Sequence, residues 1–137
     1  MKRILATAAA AVMTLTALAG TATAAQTDTG ITPAVSCYDG AVVSPISKTG
    51  YSPTGANAPA KTTTRCNDIN VKVGFSSKAR VCFYAQQKPT QLLYCQDQWS
   101  PVKKGTWVVV ATNVRDKQPY RVQWAAHPTN ALVHLAA

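Results

Sequence analysis

Four cysteines, at positions 37, 66, 82 and 95, constrain this chain more than any other feature, because they sit in or beside segments that alternate with the period of half-buried strands. In "ARVCFYAQQKPTQLLYCQDQW", residues 79–99, two apolar arms flank a polar centre. Antiparallel pairing about the middle of "QQKPTQ" sets Phe83 against Tyr94, Tyr84 against Leu93 and Gln86 against Gln91, and it places Cys82 opposite Cys95. Facing residues of a narrow antiparallel pair lie about 4.5 Å apart at Cα, a span that a disulfide bridges. The loop "QKPT" suits a hairpin, and Pro89 costs no ladder bond there. Of the three connectivities open to four cysteines, the expected one is therefore Cys82 with Cys95 and Cys37 with Cys66. Phe83 and Tyr94 then face the core.

Zinc is a poor alternative. The cysteines are separated by 28, 15 and 12 residues, so no C-x-x-C pair exists, and both histidines, His127 and His134, lie far downstream. A reactive thiolate needs a cationic neighbour. Arg80 and Lys88 are near in sequence but read as solvent-facing charges, so no catalytic residue and no metal ligand is assigned to the cysteines.

The rest of the chain reads as strands. Residues 34–38 and "AVVSPI" suggest two short ones around the Asp39-Gly40 turn. "INVKV" places Ile69, Val71 and Val73 on one face, "ARVCFYA" places Val81, Phe83 and Ala85 together, and "PYRVQW" sets Tyr120, Val122 and Trp124 against Arg121 and Gln123. "GTWVVVATNV" is apolar on both faces, as expected of a central strand. "RDKQ" forms a turn after it, and "ALVHLA" closes the sheet. No sustained helical period occurs. The expected fold is all-β, a small antiparallel sandwich or barrel of about 6–8 strands with two disulfides. Residues 47–64, rich in Ser, Thr, Gly, Pro and Ala, form a long loop, and a structureless loop of that length is generally disordered or used for binding.

Met1, Lys2 and Arg3, the uncharged run that follows and the small residues Ala22, Thr23 and Ala24 have the order of a secretory signal. The apolar run is shorter than the roughly 20 residues that span a bilayer, so no transmembrane segment is expected after cleavage. The organisation expected is a signal at residues 1–24, a flexible tail at residues 25–33 and one domain at residues 34–137, secreted as a monomer. Cystine usage agrees with an oxidising, extracellular location. The net charge is +9, and the chain contains no Glu.

Asp39, Asp68, Asp97 and Asp116 each lie in or beside a turn, where Asp is favoured for backbone hydrogen bonding, so no carboxylate pair suggests acid–base chemistry. Phosphate loops and G-x-S-x-G are absent, and neither histidine has a neighbouring acid in sequence. The expectation is no enzyme and no cofactor; a small hydrolase would require His127 or His134 to meet an Asp. Basic and aromatic residues concentrate at Trp99, Lys103, Lys104 and Trp107, and the long loop adds Lys48, Tyr51 and Lys61. Such residues suit an acidic extracellular protein or an anionic cell-envelope polymer. Export and the lack of RRM, KH or zinc-finger patterns leave nucleic acid aside.

The run "CNDINVKVGFSSKARVCFYA", residues 66–85, resembles the middle of the small secreted bacterial α-amylase inhibitors of the tendamistat type, which have a C-x-x-x-V-x-V-K-V-like strand followed by a C-[FY] strand. The resemblance implies a six-stranded, two-disulfide β-sandwich made by an exporting bacterium. That family carries an inhibitory Trp-Arg-Tyr triplet between its first two cysteines. Here that interval has no Trp, and its aromatics are Tyr38 and Tyr51; the fourth cysteine also arrives early. The function expected is a small secreted non-enzymatic binding protein, an inhibitor of an extracellular enzyme, with a cationic antimicrobial or envelope-associated protein as the alternative. The loop at residues 47–64 is the first binding surface, and residues 99–104 are the second.

Overall fold

Apolar–polar alternation becomes ten strands in a computed structural model of the chain, which describes residues 36–137. The signal at residues 1–24, the tail at residues 25–33 and the first two residues of the expected domain lie outside the described residues. The strands are β1 (Val42–Pro45), β2 (Tyr51–Ser52), β3 (Ala60–Lys61), β4 (Ile69–Val73), β5 (Ser77–Tyr84), β6 (Leu92–Cys95), β7 (Ser100–Val102), β8 (Val108–Ala111), β9 (Pro119–Trp124) and β10 (Leu132–Ala136). Three of them, β2, β3 and β7, are only two or three residues long, which is why the count exceeds that expected from sequence periodicity.

All pairings are antiparallel. One sheet has four strands in the order β1-β10-β4-β8; the other has six, ordered β2-β9-β5-β6, with β3 beside β9 and β7 beside β5. The sheets share one core, in which Ile69, Val71, Val133 and Leu135 meet Ala79, Val81, Phe83, Val122 and Trp124. The expected all-β sandwich is therefore present, with its core on the faces that alternation marks. Each fully buried valine or isoleucine here contributes about 1.5–3 kcal/mol against exposure. The indole of Trp124 donates through Nε1 to the Ser52 hydroxyl at 2.9 Å, which satisfies both groups inside that core.

Both expected disulfides are formed, Cys37–Cys66 and Cys82–Cys95. The hairpin register holds at Cys82 opposite Cys95 and Phe83 opposite Tyr94, then slips, so Tyr84 faces Leu92 rather than Leu93. Gln91 bonds back to Ala85 through its carbonyl, not to Gln86, because the inserted residue takes up the count.

Several local expectations change. Residues 37–40 are a 3-10 turn, not strand: Ser36 caps it by accepting from the Asp39 N–H while the Asp39 carboxylate accepts from the Ser36 N–H, and this local exchange outcompetes extension. Residues 108–111 form the edge of the four-stranded sheet, not its centre, and Val109 is 44% exposed there. The segment at residues 131–136 lies inside its sheet, between β1 and β4. Residues 47–64 are not structureless: β2 and β3 both pair with β9, and Thr62 exchanges hydrogen bonds with Arg115, Lys117 and Gln118.

Candidate functional site

Period two leaves one set of side chains on the outer face of the six-stranded sheet. Tyr120, Val122 and Trp124 of β9 point into the core, which sends Arg121 and Gln123 outward. On β5, Ala79, Val81 and Phe83 point inward, so Arg80 and Cys82 lie on the outer row. The register then aligns them: Tyr51 faces Gln123, Gln123 faces Arg80, and Arg121 faces Cys82. Arg80 and Arg121 are thus diagonal neighbours on one face, in a geometry that brings such positions within about 7–8 Å.

Each arginine is held against an aromatic ring. Arg80 Cζ lies 4.7 Å from the centre of the Trp99 ring, while its Nε donates to Gln123 Oε1 at 2.8 Å and its Nη1 to the Gln96 carbonyl at 3.3 Å. Arg121 Cζ lies 5.0 Å from the centre of the Tyr51 ring, and its Nε donates to the Pro53 carbonyl at 3.3 Å. A guanidinium stacks on an aromatic face readily because it is planar and weakly hydrated. Every oxygen these two groups bond to is a neutral carbonyl or amide, so among the described residues neither guanidinium hydrogen-bonds a carboxylate.

The backbone fixes the rings. Tyr51 leaves a turn closed by Gly50 N–H to the Ser47 carbonyl at 2.9 Å, and the Gly50 carbonyl accepts from Trp124 N–H at 2.8 Å. Gly50 has φ 78°, and a Cβ there would stand 3.0 Å from the Trp124 carbonyl oxygen, so this tight approach favours glycine. Trp99 lies where the chain passes from β6 to β7, both of which pair with β5. Beneath the arginines, Cys82 is fully buried, with its sulfur 4.0 Å from Gln123 Oε1.

Of the residues singled out in the sequence, Tyr51, Lys61 and Trp99 come to this face. Lys61 sits opposite Pro119, two positions along β9 from Arg121 and therefore on the same side. Lys48 lies in the turn before β2, and Lys103 and Lys104 lie in the exposed turn that carries the chain from β7 to β8. The proximity of Trp99 and Trp107 in sequence does not survive folding. Trp107 packs at 4.6 Å from Tyr38 and 6.4 Å from His134, on the outer face of the four-stranded sheet.

Arg80 and Arg121 were the residues sequence reasoning missed. Their outward position was legible from alternation, but the aromatic partner of each is far along the chain. Arg80 is accordingly no loose surface charge.

Among the described residues the acids and histidines do not converge. Asp39 bonds to Ser36, Asp68 accepts from Asn113 N–H at 3.2 Å, His127 contacts the Pro128 carbonyl at 3.2 Å, and His134 lies edge-on to Trp107. Among the described residues no group of three His, Cys, Asp or Glu side chains could hold a metal ion. No helix among them is long and apolar enough to cross a membrane. No family model, no curated protein and no solved structure matches the chain.

Proposed function

We propose that this chain is a small exported, non-enzymatic binding protein that engages an acidic extracellular protein through the outer face of its six-stranded sheet. The observation that carries this reading is the pair of ring-stacked arginines, Arg80 on Trp99 and Arg121 on Tyr51, which meet no carboxylate among the described residues. Their Nε atoms are anchored, and Arg80 also donates through Nη1 to the Gln96 carbonyl, so the remaining terminal N–H groups of each guanidinium are preorganised for a carboxylate, and the rings supply flat contact area at little entropic cost. Lys61 extends the positive field along the face. Inhibition of an extracellular enzyme is the form of binding favoured by the likeness of residues 66–85 to the amylase inhibitors, with the surface moved from the loop at residues 47–64 as a whole to Tyr51 and its arginine partner.

An affinity pull-down from culture supernatant tests this, run with the oxidised protein and with the Arg80→Ala, Arg121→Ala double variant. A supernatant protein retained by the parent at moderate salt and lost by the variant supports the reading; equal retention by both removes the face from consideration. The net charge of +9 favours a second reading, association with an anionic envelope polymer. Binding to purified cell walls that falls steeply with ionic strength, and is indifferent to the double variant, would select it.

A further inference from the structure

The edge of a sheet leaves N–H and C=O groups open to any other strand, and proteins blunt such edges with proline, charge or a covering segment. Among the described residues, β1 contains Pro45, and its Ser44 hydroxyl accepts from Thr54 N–H at 3.2 Å, which draws the following segment alongside. The edge formed by β2 and β3 is two residues at a time, with Pro53 after the first and Pro59 before the second. Strand β6 has none of these protections. Residues 90–96 contain neither charge nor proline, and Leu92, Leu93 and Tyr94 are 50%, 54% and 58% exposed. Tyr94 touches Phe83 at 5.2 Å between ring centres, yet its outer side is open, because a cavity of about 450 Å³ separates β6 from residues 111–115 rather than a covering strand.

This edge is also rigid. Cys82 and Cys95 form a narrow pair, with Cα atoms 3.9 Å apart, so Cys95 turns its own N–H and C=O away from β5 toward the open side. The disulfide holds that presentation in place.

We propose that β6 is a self-association edge, where a second copy of this chain adds its own β6 antiparallel about a two-fold axis and joins two six-stranded sheets into one. Charge selects this occupant. The segment from Lys88 to Asp97 carries no other charged residue, with the cation at one end and the anion at the other. Antiparallel self-pairing reverses direction, so the Lys88 end of each copy meets the Asp97 end of its mate, twice over by symmetry. The same operation on the uncharged edge β8 would bring Lys103 and Lys104 toward Arg115, Asp116 and Lys117, so that two ends of net positive charge meet and Asp116 offsets only part of it. Strand β1 has Asp39 and Lys48 beyond its ends, but Pro45 interrupts it. Pairing through β6 covers Leu92, Leu93 and Tyr94, and it replaces the monomer expected from the sequence with an isologous dimer whose arginine-bearing faces remain free.

Sedimentation velocity over a wide range of protein concentration tests the proposal on the purified, oxidised protein. The parent should pass from monomer to dimer as concentration rises, and Leu93→Lys should remain monomeric. Lys88→Asp and Asp97→Lys should each weaken the dimer by about tenfold, and combining them should restore it, since the complement is then only exchanged. Both lie outside the strand, so they report even where Leu93→Lys fails to fold, which near-UV circular dichroism would reveal. A parent monomeric at every concentration, a folded Leu93→Lys variant that still dimerises, or a double swap as weak as its single parents overturns the proposal. The Arg80→Ala, Arg121→Ala variant should dimerise like the parent, which separates this test from that of the binding face.

Discussion

Each outer face of the sandwich carries a tryptophan, a disulfide and a basic side chain, and the two use them in opposite ways. On the six-stranded face, Trp99 meets an arginine whose Nε and Nη1 donate to neutral oxygens, and Cys82 of the disulfide lies fully buried beneath it. On the four-stranded face, Trp107 is enclosed by Tyr38 and His134, and the disulfide at Cys37 ties the 3-10 turn that delivers Tyr38. The first arrangement leaves its guanidinium groups bonded to no carboxylate among the described residues; the second spends its aromatic surface on internal packing. Similar residue types therefore do not mark function by themselves. What distinguishes the faces is whether the polar partners of a ring are already satisfied within the chain.

The comparison can be broken most forcefully at the bridges. Removing Cys37–Cys66 by paired alanines should cost about 3.5 kcal/mol by loop-closure entropy and removing Cys82–Cys95 about 3 kcal/mol, from sequence separations of 29 and 13. Urea unfolding measures both. If Cys37–Cys66 only clamps the Tyr38 turn, its loss should leave partner binding at the other face intact. Next, Ser52→Ala strands the buried Trp124 N–H and should cost about 2 kcal/mol in the same assay, although it removes a single oxygen. A smaller effect, and a sharper one for the comparison, is expected from Trp99→Ala, which should weaken partner binding by about tenfold while Trp107→Ala leaves it unchanged; titration calorimetry with the captured partner decides this.

Smallest is the alkaline limb of stability. Burial raises the Tyr120 phenol above its ordinary pKa, so the unfolded chain loses that proton first as pH rises. Its contribution is fully present below the unfolded value near 10 and declines above it, by at most about 1.4 kcal/mol per pH unit. Tyr120→Phe should flatten that decline in thermal melts collected between neutral pH and the onset of alkaline unfolding.

Much of the scaffold was legible in the residues. Alternation identified the inward sets of β4, β5 and β9, and the Cys82–Cys95 register followed from the symmetry of the hairpin. Legibility ended where a contest between distant segments decides the outcome. The slip after Phe83 depends on the loop competing with the ladder, and the edge position of β8 depends on which strands β4 pairs with, since three consecutive valines look alike at an edge or in a centre. The pairing of residues 47–64 with β9 was hidden because β2 and β3 are too short to show a period. Most of the candidate site is of this kind. Tyr51 and Trp99 could be named from their type, but only the register brings Arg80 and Arg121 to them.

The place of β10 in its sheet has a temporal consequence. It is the last strand in chain order and yet lies between β1 and β4, so the earliest strand of this sheet has no neighbour there until residues 132–136 have been synthesised. A ribosome or translocation pore holding back that final stretch would keep the half-made chain from closing, because β1 and β4 share no ladder of their own. The sandwich therefore closes late, through its most distant contacts.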